Sequence, residues 1–249
     1  MRIRLLLYTG YAIFIFALTC IIVIPTLILL GQSKSWHYTA LILHTYWAKI
    51  FFKIALKVEV IGKEKLAPGQ QYIFCVNHFS YLDIAAFYLL YPSKFIGKSS
   101  LTKIPLFGYF FKKIHIPVNR SSARSRAESL QKTKMALDEG FNVTFFPEGG
   151  IVVKEENLPY MTPFKDGAFR ISAEKGIPIV PVTMPYNFVI LPDKSPLRFH
   201  YHKCSVIVHD PIFPKSQDDK EANRMKNEAF RTIQAELLRH HPDKVRAVN

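Results

Sequence analysis

The sequence predicts an α/β fold: a single domain with a mixed central sheet flanked by helices, preceded by an N-terminal helical hairpin. Three observations carry this. Residues 5–31 are almost entirely apolar, with no charge between Arg4 and Lys34. From residue 58 onward, short β-branched and aromatic runs alternate with amphipathic stretches, the pattern of strands and helices packed in layers. No repeat, low-complexity tract or Pro/Gly/Ser linker divides residues 58–249, a length suited to one core. The expected organisation is therefore a two-helix segment over 1–57 and an α/β domain over 58–249.

The first apolar run exceeds the roughly 20 residues that a helix needs to cross a bilayer core. It also exceeds the ~7–15 residues of a cleaved signal's apolar region, and no small-residue cleavage site follows it. Gly31-Gln32-Ser33-Lys34 reads as a turn. In the second segment, 36–57, Lys49, Lys53 and Lys57 recur every four residues and share one helical face. Aromatic residues and lysines on one helix suit the membrane interface. Residues 1–57 hold six Lys/Arg and no acid, on both sides of the apolar run. A simple span would send one cluster outside, against the positive-inside tendency. The expectation is a hairpin dipping into the cytoplasmic leaflet, broken near Pro25; a single span is the alternative.

Beyond residue 57, strands are expected at Val58-Ile61, Tyr72-Val76, Lys94-Ile96, Ile114-Val118, Asn142-Phe146 and Ile179-Met184, with a further pair in Leu197-His209. Helices are expected over 81–91, 122–139, 165–175 and 218–240. Gly140 is a fitting stop for the second, and Ala222, Met225, Ala229, Ile233 and Leu237 keep a helical period in the last.

Charge narrows the partners. The 249 residues carry 33 Lys and Arg against 19 Asp and Glu, a formal net charge of +14. That excess calls for an anionic partner: nucleic acid, an acidic protein or an anionic membrane surface. The apolar N-terminus selects the membrane. Three dispersed cysteines without a CxxC pair argue against disulfides and a thiolate zinc site, and fit a reducing, cytosolic side.

Three segments hold residues suited to chemistry. The first is Asn77-His78-Phe79-Ser80-Tyr81-Leu82-Asp83. On one continuous helix, positions i and i+5 lie about 140° apart. With His78 in a strand-to-helix turn and Asp83 in the first helical turn, the carboxylate can reach one imidazole nitrogen. The other is then free to take a proton from a hydroxyl. The same Ser80-x-x-Asp83 spacing also matches a helix capping box. The second segment, 94–134, has a net charge of +9, with Glu128 its one acid. Within it Arg120 follows a strand and Lys103 precedes the turn-prone Ile104-Pro105-Leu106-Phe107-Gly108; both are candidate phosphate ligands. The third, Phe146-Pro147-Glu148-Gly149-Gly150, makes a tight loop at a strand end. There Glu148 can accept hydrogen bonds from an acceptor hydroxyl or pair with Arg120. The glycines have neither dinucleotide nor Walker spacing.

In this order the segments resemble the glycerophospholipid acyltransferases of the 1-acylglycerol-3-phosphate type. The family's NHxxxxD stands at Asn77 to Asp83 and its strand ending in Arg at Ile114 to Arg120. Its FPEG stands at Phe146 to Gly149 and its Val-Pro strand at Ile179-Val180-Pro181-Val182. Phe164-Lys165-Asp166-Gly167 is similar to its F-K-x-G segment. The resemblance implies that His78, oriented by Asp83, activates a lysophospholipid hydroxyl toward an acyl-CoA or acyl carrier protein thioester. Arg120 and Lys103 would hold the acceptor phosphate, and Glu148 and Gly149 would shape its site. Backbone amides near His78 are candidate oxyanion donors. Apolar residues of 81–91 and 104–111 are candidates for an acyl-chain groove. No metal, no cofactor and no nucleic acid is implied; the place of action is the cytoplasmic face of the cell membrane. Where the family continues FPEG with Thr-Arg-Ser, this chain has Gly150-Ile151-Val152. That departure admits another acceptor, such as a lyso-aminolipid. A non-enzymatic, basic membrane-binding protein is the remaining alternative.

Overall fold

The computed structural model describes residues 2–151 and 153–245. Two long helices come first, α1 (Arg2–Leu30) and α2 (His37–Ala55). They run antiparallel: Tyr8 Oη donates to the Ala55 carbonyl at 2.7 Å, and Trp47 Nε1 to Thr19 Oγ1 at 3.0 Å. The hairpin is as expected, but it does not break at Pro25, which lies inside a continuous α1. One missing N–H removes a single bond from a cooperative ladder of 29 residues. α1 is long and apolar enough to cross a membrane, and Ile3, Leu6, Leu7, Phe14, Ile21, Ile22 and Leu29 are all exposed.

α2 differs from an interfacial helix. Lys49 and Lys53 are exposed, with Ile50 and Ile54 beside them, but α2 ends at Ala55 and Leu56 is extended, so Lys57 lies beyond the helix and does not share that face. Its apolar face, however, is buried in protein. Ala40, Leu41, Ala48, Phe51, Phe52 and Ala55 are all core residues.

Seven strands follow: β1 (Val58–Ile61), β2 (Ile73–Val76), β3 (Lys94–Lys98), β4 (Ile116–Val118), β5 (Val143–Phe145), β6 (Ile179–Thr183) and β7 (Cys204–Val208). They form one sheet in the order β1-β7-β6-β2-β5-β3-β4. β6, β2, β5, β3 and β4 are parallel, β7 is antiparallel to β6, and β1 is parallel to β7. Every residue of β2, β5, β6 and β7 is buried, as helices on both faces of a sheet require. The helices are α3 (Leu82–Phe87), α4 (Phe107–Ile114), α5 (Ala123–Asp138), α6 (Gly167–Lys175), α7 (Asn187–Ile190) and α8 (Asp219–His240).

Three readings need correction. The stretch 197–209 holds one strand, β7, rather than a pair; Leu197 to Lys203 lie outside the sheet. Ile114 ends a helix, so β4 starts two residues later. Phe107, Phe110, Phe111 and Ile114 keep a helical spacing, and all but Phe107 are buried. The helix over 81–91 is cut to six residues.

A column of rings crosses the molecule. His44 of α2 stacks on Tyr88, centroids 4.7 Å apart, and Tyr88 Oη meets His115 Nε2 at 3.2 Å. His115 lies against Phe95, and Phe95 stacks on Phe146 at 5.8 Å. The column ends at His78, stacked on Phe146 at 4.0 Å.

Candidate active site

In open α/β sheets, ligands bind outside the carboxyl ends of the parallel strands. β2 leads there to His78, β5 to Glu148, β4 to Arg120 and β3 to Lys103. The turn after β2 is pinned to the end of β6 by Asn77. Its side chain donates to the Met184 carbonyl at 3.2 Å and accepts from Met184 N at 2.7 Å. The chain then bends, which brings His78 within reach of Asp83 in α3.

His78 Nδ1 lies 3.0 Å from Asp83 Oδ2. The same oxygen accepts from the backbone N–H of Phe79 and Ser80, each at 2.9 Å. One carboxylate oxygen thus serves the dyad and the Asp83-to-Ser80 N half of a capping box; the box is not complete, because the helix is capped at Tyr81 without a side-chain bond. Its other oxygen accepts from Asn187 Nδ2 at 2.9 Å. Every partner of Asp83 is a donor, so the network assigns the imidazole proton to Nδ1. Nε2 keeps its lone pair, and among the described residues no protein group hydrogen-bonds to it. Asn187 sits on the four-residue α7, and nothing in the sequence marked it.

Glu148 is buried and does not pair with Arg120. Its Oε1 accepts from His78 N at 2.9 Å and its Oε2 from Thr162 N at 3.1 Å. The carboxyl therefore splints the His78 turn to the 160–163 segment, instead of pairing with Arg120. Burial pushes its pKa up to about 7, partly offset by those two N–H donors. The amides of His78, Phe79 and Ser80 are all committed to carboxylates, so they are not oxyanion donors.

This splint predicts a pH signature. Unfolded, Glu148 releases its proton near the ordinary 4.5; folded, it keeps it to about 7. Between those values the native state binds the extra proton. Stability therefore falls as pH rises, by up to about 1.4 kcal/mol per pH unit, and levels off above 7. Denaturant titrations at pH 5, 6, 7 and 8 should show this slope reduced in Glu148→Gln relative to wild type; parallel curves for the two proteins overturn it.

Arg120 Nη1 donates to the Gly149 carbonyl, and Arg126 Nη1 holds the Arg120 carbonyl at 2.7 Å. Burial lowers the Arg120 pKa. Gly149 has φ +91°, and a Cβ there would meet Lys165 Cε at 2.5 Å. The backbone favours glycine there, and any side chain would have to displace the lysine stem laid against it. His78, Asp83, Glu148, Gly149 and Arg120 form one connected cluster. Lys103 does not join it: it is exposed at the end of a 3-10 turn (Ser99–Lys103) on the same sheet edge. Val152, the third residue of the departure after FPEG, lies outside the described residues.

A mixed sheet with a histidine–carboxylate dyad and a cationic turn at the carboxyl ends of its parallel strands suits an enzyme that activates a hydroxyl for acyl transfer. The Acyltransferase family model matches residues 57–185, which include all four motif segments, and the chain belongs to that family. A 1-acyl-sn-glycerol-3-phosphate acyltransferase of Chlamydomonas reinhardtii is 32% identical over 185 residues, 73% of this chain and 54% of its own. The chloroplastic 1-acyl-sn-glycerol-3-phosphate acyltransferase BAT2 of Brassica napus is 31% identical over 75% of this chain and 53% of its own. The chain thus spans about half the length of these curated relatives. The crystal structure of the 1-acyl-sn-glycerophosphate (LPA) acyltransferase PlsC from Thermotoga maritima matches with a TM-score of 0.76. It covers 100% of this chain and 99% of its own at 22% identity, a likeness of fold.

Proposed function

We propose that this chain transfers a fatty acyl group from an acyl thioester, on CoA or acyl carrier protein, to the free hydroxyl of 1-acyl-sn-glycerol 3-phosphate, giving phosphatidate. The observation that carries this is the dyad: Nδ1 on Asp83 at 3.0 Å, with Nε2 left open at the ligand-binding edge of the sheet. The names of the relatives support the same acceptor.

The steps follow from the geometry. Nε2 of His78 takes the hydroxyl proton as the oxygen attacks the thioester carbonyl. The imidazolium is stabilised by Asp83, whose carboxylate stays ionised. The tetrahedral adduct collapses, the C–S bond breaks, and the proton passes from Nε2 to the leaving thiolate. No acyl-enzyme forms. Arg120, fixed on Gly149, holds the acceptor phosphate, and Lys165 projects beside the same turn. Lys103 adds positive field along the edge. Oxyanion donors come from outside the 78–80 turn. Needing no cofactor beyond the donor and no nucleic acid, the enzyme works on the cytoplasmic face of the membrane, held there by the α1–α2 hairpin.

The test follows free thiol from acyl-CoA or acyl carrier protein in mixed micelles. It compares lysophosphatidate, a hydroxyacyl aminolipid and no acceptor. Release that requires lysophosphatidate is expected; release with the aminolipid alone overturns the acceptor, and none with any acceptor overturns the activity. Arg120→Ala should raise KM for lysophosphatidate roughly 10- to 100-fold, the worth of a charge-assisted hydrogen bond, with a smaller change in kcat. An unchanged KM removes Arg120 from the phosphate site.

A further inference from the structure

The loop between the 3-10 turn and α4 is built against its own comfort. Phe107 N donates to the Pro105 carbonyl at 2.6 Å, across Leu106, whose φ is 62° and ψ −57°. That is a γ-turn of the strained kind, at positive φ in a non-glycine residue, and costs on the order of 1–3 kcal/mol. Burial does not offset it. Leu106 is 64% exposed, Ile104 46% and Tyr109 45%. Nor is the loop free to relax, because a Cβ on Gly108 would lie 2.2 Å from the Thr102 carbonyl oxygen. The first turn of α4 is thus clamped against the 3-10 turn, and the apolar tip is held outward.

The surroundings name a partner. Lys103, Lys112 and Lys113 are exposed around the tip, and no acidic residue occurs between Asp83 and Glu128. The tip is also continuous with the hairpin. Tyr109 Oη donates to Gln32 Oε1 at 3.0 Å, and Gly31 faces the Lys113 stem. Beside that junction Leu29, Trp36 and Tyr38 are exposed as well. Apolar side chains within a cationic rim, contiguous with a long apolar helix, have the composition of a surface that enters an anionic bilayer.

We propose that Ile104, Leu106 and Tyr109 form a second membrane contact, entering an anionic bilayer beside the α1–α2 hairpin while Lys103, Lys112 and Lys113 meet lipid phosphates. This extends the membrane attachment proposed above and does not depend on the acyl acceptor. It sets the ends of β3 and β4, and with them Arg120, at the level of the headgroups.

The test is made on the full chain carrying Cys20→Ser, in liposomes of equimolar phosphatidylcholine and phosphatidylglycerol. Cys75 and Cys204 are buried and stay unlabelled. An environment-sensitive fluorophore is placed on Leu106→Cys, and, for comparison, on Gln131→Cys in α5. The label at 106 is expected to shift to the blue and to be quenched by brominated phosphatidylcholine, with a smaller shift in phosphatidylcholine alone. The label at 131 should stay as in water. A second arm places the label at Ile104→Cys, with and without Leu106→Gly. Glycine accepts positive φ, so thermal melts should show no loss of stability, yet the shift at 104 should shrink. A chain that floats with liposomes while position 106 stays in water overturns the proposal alone; a chain that does not float overturns the hairpin reading with it. A shift that appears without lipid as protein concentration rises assigns the tip to a second copy, and one that needs an acidic carrier protein assigns it to that partner; either overturns it.

Discussion

Replacing His78 by alanine should lower kcat for acyl transfer roughly 10²- to 10⁴-fold, the range of a positioned general base, while the chain stays folded. The imidazole is the only group in the connected cluster with an open, proton-accepting nitrogen. Asp83 is occupied by four donors and Glu148 by two. Neither can substitute for it. The structural cost is small by comparison. Asp83 Oδ2 keeps two backbone donors, and the ring removed stacks on Phe146 at the edge of the core. Thiol release in mixed micelles reads the rate, and a thermal melt reads the fold. A variant that retains wild-type turnover removes His78 from the chemistry; one that does not fold is replaced by His78→Gln, which keeps much of the volume.

Asp83 gives the second large effect, and its two substitutions should separate rate from stability. In Asp83→Asn, one amide oxygen can still accept from His78, Phe79 and Ser80. The amide NH₂ then faces Asn187, whose own amide can turn to present its oxygen. Such a variant should fold, because the donors on the Asp83 side keep acceptors and the turn of Asn187 gives up only its weak contacts to the Cys204 and Met184 sulfurs. It lacks the negative charge that stabilises the imidazolium, so kcat should fall roughly 10²- to 10⁴-fold. Asp83→Ala instead leaves four donors unmatched in a fully buried site, at about 1–3 kcal/mol for each that stays unpaired. It should lose the fold before its rate can be read. Circular dichroism melts beside thiol release distinguish them. Equal loss of stability in both variants would make Asp83 a capping residue first.

Much of this site was legible in the chain. The dyad could be placed because a strand ends at Val76 and Ser80-x-x-Asp83 opens a helix. Those two local signals fix where the backbone must bend. The protein partners of Glu148 could not be read from the chain, since they are backbone N–H groups at positions 78 and 162, away from it in sequence. Asn187 carried no signal at all. It stands on one turn of helix, and its role exists only because β6 lies next to β2. The same limit explains β7, whose parallel partner β1 is almost 150 residues earlier. α4 was passed over because Pro105 and Gly108 read as a turn. Short apolar runs do not distinguish strand from helix by period alone, and Ile114 fell on the wrong side of that choice.

The column of rings from His44 to His78 has a mechanical consequence. It joins α2 to the base through packed aromatic contacts and a hydrogen bond, with no glycine among its members. A stack of close-packed rings resists compression and bending far better than a loop does. The distance from α2 to Nε2 is then a fixed dimension of the protein, like the reach of a crane on a rigid mast. Under the proposed lipid acylation, with the hairpin in the membrane, that dimension would select the hydroxyl whose height in the leaflet matches.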